Sequence, residues 1–129
     1  MKVDTISDSI VTVEIGDSPK HWRIFIPILP VPASRPRVTR WGTYYGKRYT
    51  EFRTIAKKLL QAVEWPCDFP LRGLLSVSVT FTVPRPKTTK RQSPRGDVDN
   101  YFKTLDSLNE VVWKDDDQIV WAIMAKEYG

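Results

Sequence analysis

Cysteine and histidine are nearly absent from this sequence, which has one residue of each type among 129. A lone Cys67 forms no internal disulfide or multi-cysteine zinc site, and this usage fits a reducing compartment. The lone His21 excludes chemistry that needs two histidines from one chain. Neither residue has a catalytic partner nearby in the sequence, so both are interpreted as structural.

Long apolar runs are also missing. No stretch approaches the roughly 18–20 consecutive apolar residues that a membrane span needs, and the N-terminus (Met1 to Asp4) lacks an apolar signal core. We therefore expect a cytoplasmic protein with no membrane partner. The length and the 41% hydrophobic and 27% charged residues predict a single globular domain over residues 1–129.

Acidic and basic residues are unevenly distributed along the chain, whose formal net charge is +5. The segment from Lys20 to Lys58 is rich in basic residues and contains a single acid, Glu51. The basic segment from Arg85 to Arg95 contains no acid. Between Asp97 and Asp117 the sign inverts, with seven acids against two bases. Basic arms around a compact acidic cluster indicate a protein that attracts a polyanion and holds a cation against it.

The first half of the chain predicts a hairpin, an irregular segment and a helix. Two β-branched runs, Ile10–Ile15 and Trp22–Ile28, flank a Gly-Asp-Ser-Pro turn signal. Prolines predict an extended or irregular segment over residues 29–40, and residues 41–49 read as an aromatic and basic loop. Thr50 is the expected N-cap of an amphipathic helix that reaches Val63.

The second half predicts a strand, a mobile loop, a helix and a last strand. Strict alternation predicts a strand over Leu74–Val83, and the proline-containing basic segment 84–96 predicts a mobile loop. A second helix is expected to begin near Asp99 or Asn100, and a final strand to cover Gln118–Ala125. The pattern predicts an α+β fold in which a mixed β-sheet packs against two helices.

One segment carries metal-binding chemistry. Asp97 and Asp99 are separated by one residue, so in an extended chain their carboxylates point to the same side, which suits Mg²⁺. Lys103 follows Asp99 by four residues and, on a helix, lies one turn further on, where it can stabilise charge on a phosphate oxygen. Such aspartate pairs are also common in turns and helix caps, and the Asp115–Asp117 triplet is also typical of a solvated turn, so both interpretations stay open at this point.

These segments resemble the signature of the RusA-type Holliday junction resolvases of bacteria and their phages. That signature reads Asp-x-Asp-Asn-x-x-Lys, then Asp-Ala-Leu, then Asp-Asp-x-Gln followed by Val or Ile. The corresponding segments here are Asp97–Lys103, Asp106–Leu108 and Asp115–Ile119. Pro30–Val38 is similar to the family's proline- and arginine-rich entry segment.

The resemblance implies a RusA-like fold and a role for each matching residue. It assigns Asp97, Asp99 and Asp116 as ligands of Mg²⁺, with Mn²⁺ as a substitute. It assigns Lys103 as the catalytic lysine and Asp115 as a supporting carboxylate.

The sequence departs from the family pattern in two places. Asp106 follows Lys103 by three residues where the family usually shows four, which turns it by about 100° around an α-helix. We therefore expect Asp106 to be structural, for example by holding Lys103, rather than a metal ligand. The basic residue often found before the first aspartate is Gly96 here, with Arg95 one position earlier.

The resemblance implies a homodimer that binds four-way DNA junctions, nicks two opposed strands and serves recombination and repair, without an organic cofactor, in a bacterial cell or a phage or prophage. A two-fold dimer with two sites would match the symmetry of a junction. Two alternatives stay open: a non-catalytic protein that binds branched DNA, and a nuclease specific for flaps or forks. The basic residues expected to contact the DNA backbone are Arg35, Arg37, Arg40, Lys47, Arg48, Arg85, Lys87, Lys90, Arg91 and Arg95.

Aromatic residues accompany the first basic arm. Trp41, Tyr44 and Tyr45 lie among its arginines and lysines, and such side chains can stack on bases that are unpaired at a crossover. Ordinary surface or dimer packing explains them equally well.

Overall fold

The computed structural model describes residues 12–15, 21–34, 37–44 and 46–129. In this part of the chain, strands of both relative directions combine with two α-helices, which confirms the predicted α+β class. The elements in chain order are β1 (Thr12–Ile15), β2 (Trp22–Phe25), β3 (Arg37–Thr39), β4 (Gly42–Tyr44), α1 (Lys47–Gln61), β5 (Leu75–Val83), α2 (Val98–Phe102), a 3₁₀ helix (Lys103–Leu108), a second 3₁₀ helix (Asp116–Gln118) and β6 (Ile119–Tyr128).

The predicted first hairpin is present. β1 and β2 pair antiparallel, with Thr12 opposite Phe25 and Ile15 opposite Trp22. The predicted turn over residues 16–19 lies outside the described residues. The hairpin joins the rest of the protein through Ile24, which packs against the main hydrophobic core.

A second antiparallel hairpin replaces much of the predicted aromatic and basic loop. β3 and β4 pair with Arg37 opposite Tyr44 and Thr39 opposite Gly42. The loop prediction for residues 41–49 is therefore wrong, because these residues form strand β4 and the start of α1. The turn of the hairpin consists of Arg40 and Trp41.

Helix α1 begins three residues before the predicted N-cap. Its N-cap is Gly46, and Thr50 lies inside the helix with its hydroxyl donating to the Gly46 carbonyl oxygen at 3.1 Å. The predicted apolar stripe is correct, since Phe52 and Leu60 are buried on the inner face. This face packs on two core clusters, so α1 joins the two halves of the fold.

Strand β5 has the predicted alternation, and its partner β6 runs parallel to it. Val77 pairs with Ala122 and Val79 with Met124. Parallel neighbours need a crossover connection of about a dozen or more residues, and residues 84–118 provide it with α2 and both 3₁₀ helices.

The crossover supplies most of the main core. The buried residues of this core are Leu60, Phe81, Tyr101, Leu105, Leu108, Val112 and Trp113. The predicted second helix is α-helical only to Phe102 and continues as a 3₁₀ helix. In the part of the chain that the structure describes, no helix has the length and apolar character needed to cross a membrane.

Candidate functional site

The acidic turn before β6 is held by a reciprocal cap. Asp115 is the N-cap of the 3₁₀ helix Asp116–Gln118, and its carboxylate accepts the backbone N–H of Asp117 at 3.0 Å. The Gln118 side-chain oxygen in turn accepts the backbone N–H groups of Asp115 at 3.0 Å and of Lys114 at 2.9 Å. These bonds orient the backbone that carries the candidate metal ligand Asp116.

Gln118 also ties this turn to the segment before β5. Its side-chain N–H group donates to the carbonyl oxygens of Leu71 and Gly73, both at 3.0 Å. The side-chain oxygen of Gln118 thus accepts two hydrogen bonds and its side-chain nitrogen donates two, all within the protein. The sequence signature contains this glutamine, but the sequence alone gave it no role.

The carboxyl groups of Asp115 and Asp116 interact directly. The slight burial of Asp116 raises its pKa most, and the adjacent Asp115 carboxyl group and the surrounding negative charges, including that of Asp106, raise it further. Hydrogen bonds to the backbone of Asp117 and to the Asp116 side chain lower the pKa of Asp115. When both carboxyl groups are ionised, they repel each other. A divalent cation would relieve that repulsion, so the donor chemistry fits a hard metal ion.

The Asp-x-Asp segment spans the start of α2. Asp97 is the extended N-cap and Asp99 already lies in the helix. The two-residue alternation of an extended chain therefore does not apply to this pair, and the predicted extended geometry of Asp97 and Asp99 is wrong. The backbone N–H of Lys103 donates to the Asp99 carbonyl oxygen, which confirms that Lys103 lies one α-helical turn beyond Asp99.

Lys103 is held by a neighbour within the same motif. Its ammonium group donates to the side-chain oxygen of Asn100 at 3.3 Å. The hydrogen-bond partner of Lys103 is thus Asn100 rather than the expected Asp106. Lys103 and Asp116 line one pocket, together with Trp121 and Ala122 of β6. The structure therefore brings together the lysine and the third candidate aspartate of the signature.

The 3₁₀ helix changes the position of Asp106. A 3₁₀ helix has three residues per turn, so Asp106, three residues after Lys103, returns to the same angular position. The expected rotation of about 100° is wrong, because it assumed an α-helix. The tighter 3₁₀ helix thus compensates for a spacing that is one residue shorter than the family usually shows. One carboxylate oxygen of Asp106 is fully buried without a hydrogen-bond partner, and its charge contributes to the raised pKa of Asp116.

Asp97 and Asp99 lie at the N-terminal end of α2, whereas Lys103 lies at its C-terminal end. Gly96 is bound to Lys126, near the C-terminal end of β6, whereas Asp116 precedes the N-terminal end of that strand. From Asp97 to Lys103 the helix rises by about 9 Å. Within the described residues, no three His, Cys, Asp or Glu side chains form a group that could hold a metal ion. Asp97, Asp99 and Asp116 are therefore not assembled as a triad, and all three side chains are exposed.

Gly96 explains one departure from the family pattern. Its φ of +94° lies in the region that favours glycine, and an added Cβ would approach the Pro32 ring at 3.3 Å and the Tyr101 ring at 3.4 Å. A basic side chain does not fit here without strain. Arg95 is exposed, and its carbonyl oxygen accepts the Tyr101 hydroxyl at 2.8 Å.

The first group of predicted DNA contacts surrounds the second hairpin. Arg35 lies outside the described residues, and Arg37 begins β3. Arg40 lies in the exposed turn, and Lys47 and Arg48 are exposed in the first turn of α1.

The second group lies on the loop between β5 and α2, where all five basic residues are exposed: Arg85, Lys87, Lys90, Arg91 and Arg95. The Arg85 guanidinium donates to the Arg91 carbonyl oxygen at 2.9 Å and lies over the Tyr128 ring at 4.6 Å. The guanidinium of Arg91 donates to the carbonyl oxygen of Ser93 at 3.2 Å. Internal hydrogen bonds thus order the segment that the sequence predicted to be mobile, and the mobility itself stays a prediction.

Residues 27–129 match the family described as Endodeoxyribonuclease RusA. No match was found among curated proteins or among solved structures. The matched region runs from the end of the first hairpin to the end of β6, and it contains all the candidate site residues. This chain therefore belongs to the RusA endodeoxyribonuclease family.

Proposed function

We propose that this protein is a Mg²⁺-dependent endonuclease that resolves four-way DNA junctions by paired nicks. Family membership supports a Holliday junction endonuclease, and nucleases of this family generally depend on a divalent metal. The observation that carries the proposal is that Lys103 and Asp116, from the first and last parts of the signature, line one pocket.

The candidate metal ligands, Asp115 and Lys103 have distinct chemical roles in this proposal. Asp97, Asp99 and Asp116 would hold the cation, and Asp115 would fix the backbone turn of Asp116. A bound divalent cation would supply a water of lowered pKa and neutralise charge on the phosphate. The Lys103 ammonium stabilises charge on the phosphate oxygens. Within the described residues the three carboxylates do not form one metal-binding group, so this proposal requires them to come together around the ion when it binds.

The basic residues of the second hairpin, the start of α1 and the loop 84–96 would bind the phosphate backbone. Such contacts position the DNA without reading its sequence, and they weaken steeply as salt rises. The proposed setting is the cytoplasm of a bacterial cell, in DNA recombination, repair or the processing of phage DNA.

We propose that the enzyme is a homodimer that packs through the open face of the β5–β6 pair. Trp121 and Ile123 are 66% and 59% exposed on this face and pair with Ser76 and Ser78. Parallel strands are normally covered on both faces, and two sites related by a two-fold axis would match the junction. Ile123→Lys should yield monomers in sedimentation experiments, whereas Val38→Lys, at a 78% exposed apolar position in β3, should leave a dimer. A dimer in both variants contradicts this interface.

The activity is tested on a labelled four-way junction with and without Mg²⁺. Wild type should make paired nicks only with the metal, and Asp97→Asn or Asp116→Asn should abolish nicking while junction binding persists. Asp68→Asn is the matched control, since Asp68 is an exposed acid in the turn before β5. Lys103→Met should slow the cleavage step by about 10²–10³-fold.

The same assay separates the two alternatives. Binding without cleavage at any metal concentration would identify a non-catalytic protein for branched DNA. Faster cutting of flaps or forks than of junctions would identify a nuclease of different specificity, and equal cutting of linear duplex would contradict junction resolution.

A further inference from the structure

The hairpin of β3 and β4 carries a large aromatic side chain at its turn. Trp41 is 81% exposed, and the guanidinium carbon of Arg40 lies 4.9 Å from its ring centroid. By contrast, Trp113 is 5% exposed in the core. An indole left in water forgoes the stabilisation that burial gives an apolar side chain. The tip of this hairpin is therefore an aromatic surface paired with a positive charge.

The backbone of the turn is fixed by one side chain. The hydroxyl oxygen of Thr39 accepts the Trp41 backbone N–H at 3.1 Å, and the same hydroxyl donates to the Gly42 carbonyl oxygen at 3.2 Å. Gly42 has a φ of +131°, which glycine adopts without strain. The turn is thus organised before any ligand binds, which lowers the entropy lost on binding.

The base of the hairpin is attached to the candidate site. The Ala33 backbone N–H donates to the Asn100 carbonyl oxygen at 2.8 Å, and the Gly46 backbone N–H donates to the Ser34 hydroxyl at 3.1 Å. Both ends of the hairpin therefore meet at a segment bound to α2. The seven residues that follow Ser34, as far as Trp41, span at most about 25 Å. Trp41 therefore lies within the length of about seven base pairs of duplex from Ser34.

We propose that Trp41 recognises the branch point of the junction by stacking on bases that are unstacked or unpaired at the crossover. This inference rests on the proposed function, which supplies a branched substrate. In linear duplex each base face is already covered, so stacking on Trp41 would require a base to leave the helix, whereas an unpaired base is available at the least cost. The Arg40 guanidinium lies over one face of the Trp41 ring, so a base would stack on the other face, and the Arg40 charge attracts the neighbouring phosphate. Trp41 therefore selects branched over linear DNA.

Binding without divalent metal tests this role independently of cleavage. Trp41→Ala should weaken junction binding by about 5- to 150-fold, the loss of one aromatic–base stack, and leave linear duplex binding unchanged. Trp41→Phe should restore most of the junction affinity. The fluorescence of 2-aminopurine at the branch point should change on binding of wild type and of Trp41→Phe, but not of Trp41→Ala.

Phe25→Ala is the matched control, because Phe25 is an aromatic residue that is 56% exposed on β2, outside the hairpin of β3 and β4, and it should keep full junction affinity. Equal junction selectivity in wild type and Trp41→Ala overturns the stacking proposal. If wild type nicks junctions in Mg²⁺ but wild type and Trp41→Ala show equal junction selectivity, the stacking role fails and the nuclease proposal stands. If wild type nicks no junction but the Trp41-dependent 2-aminopurine signal is present, the nuclease proposal fails and the stacking role stands.

Discussion

The ammonium group of Lys126 donates a hydrogen bond to the carbonyl oxygen of Pro94 at 2.7 Å. The same group also donates to the Gly96 carbonyl oxygen, one residue before Asp97. Pro94 is fully buried, so a strand residue fixes the end of the basic loop where the candidate site begins. No motif marks this lysine in the sequence, because its role depends on the packing of β6 beside the loop.

Lys126→Met should lower the free energy of unfolding by about 1.5–3 kcal/mol, the range for hydrogen bonds to a charged group. It should also slow junction cleavage, since the backbone that carries Asp97 would lose its anchor. Urea unfolding and cleavage rates measure the two effects. Lys58→Met, an exposed lysine on α1, should change neither. A variant with wild-type stability would contradict the anchoring role.

Gln118→Glu should displace the acidic turn. A carboxylate keeps the two hydrogen bonds from the backbone of Lys114 and Asp115 but loses both donors to Leu71 and Gly73, whose carbonyl oxygens would then face a negative charge. Leaving such groups unsatisfied costs about 1–3 kcal/mol. We expect a lower thermal midpoint and weaker Mg²⁺-dependent activity.

The matched control for this change is Gln61→Glu at the exposed end of α1, which should keep the wild-type midpoint. If Gln118→Glu melted with the wild type and retained its activity, the turn would not depend on this amide.

The sequence correctly predicted those elements whose buried faces follow a regular spacing of apolar residues. The alternation in Leu75–Val83 and the spacing from Phe52 to Leu60 identified a strand and a helix face correctly. The helix start was missed because its N-cap is Gly46, which has no side chain to signal a cap, whereas Thr50 is a typical capping residue.

Other features depend on contacts that sequence spacing does not contain. Alternating strands read the same whether their neighbour is parallel or antiparallel, so the direction of β6 relative to β5 could not be predicted. The apolar residues Tyr101, Leu105 and Leu108 are spaced by four and three residues, which matches an α-helix, so the sequence does not signal the change to a 3₁₀ helix after Phe102. The assumption of a continuous α-helix led to the wrong rotation for Asp106.

Tyr101→Phe should alter the stability of the protein at high pH. Burial, and then the charge of Tyr128, raise the pKa of the Tyr101 hydroxyl, while Arg48 lowers it less. Because the folded pKa exceeds the unfolded value of about 10, the tyrosine's contribution is complete below that pH and is lost as pH rises through the folded pKa.

At pH 8 the phenylalanine variant should be less stable by about 1 kcal/mol, since it lacks the hydrogen bond to the Arg95 carbonyl oxygen. Above pH 10 the difference between the two proteins should shrink. Urea unfolding at matched pH values measures it, and other titrating groups cancel in the comparison. A difference that is constant from pH 8 to pH 11 would show that the hydroxyl titrates alike in both states.

Asp106→Asn should lower the upper apparent pKa of the Asp115–Asp116 pair. The 3₁₀ helix returns Asp106 to the angular position of Lys103, and the negative charge of Asp106 helps to raise the pKa of Asp116. Removing that charge favours the ionised form of Asp116, so its carboxyl carbon should titrate at lower pH in NMR spectra recorded without metal. Asp117→Asn should produce a smaller change, since the Asp117 charge contributes less. A titration identical to that of wild type would mean that Asp106 lies too far from Asp116 to act on it, and the shortened spacing would then have removed this residue from the site.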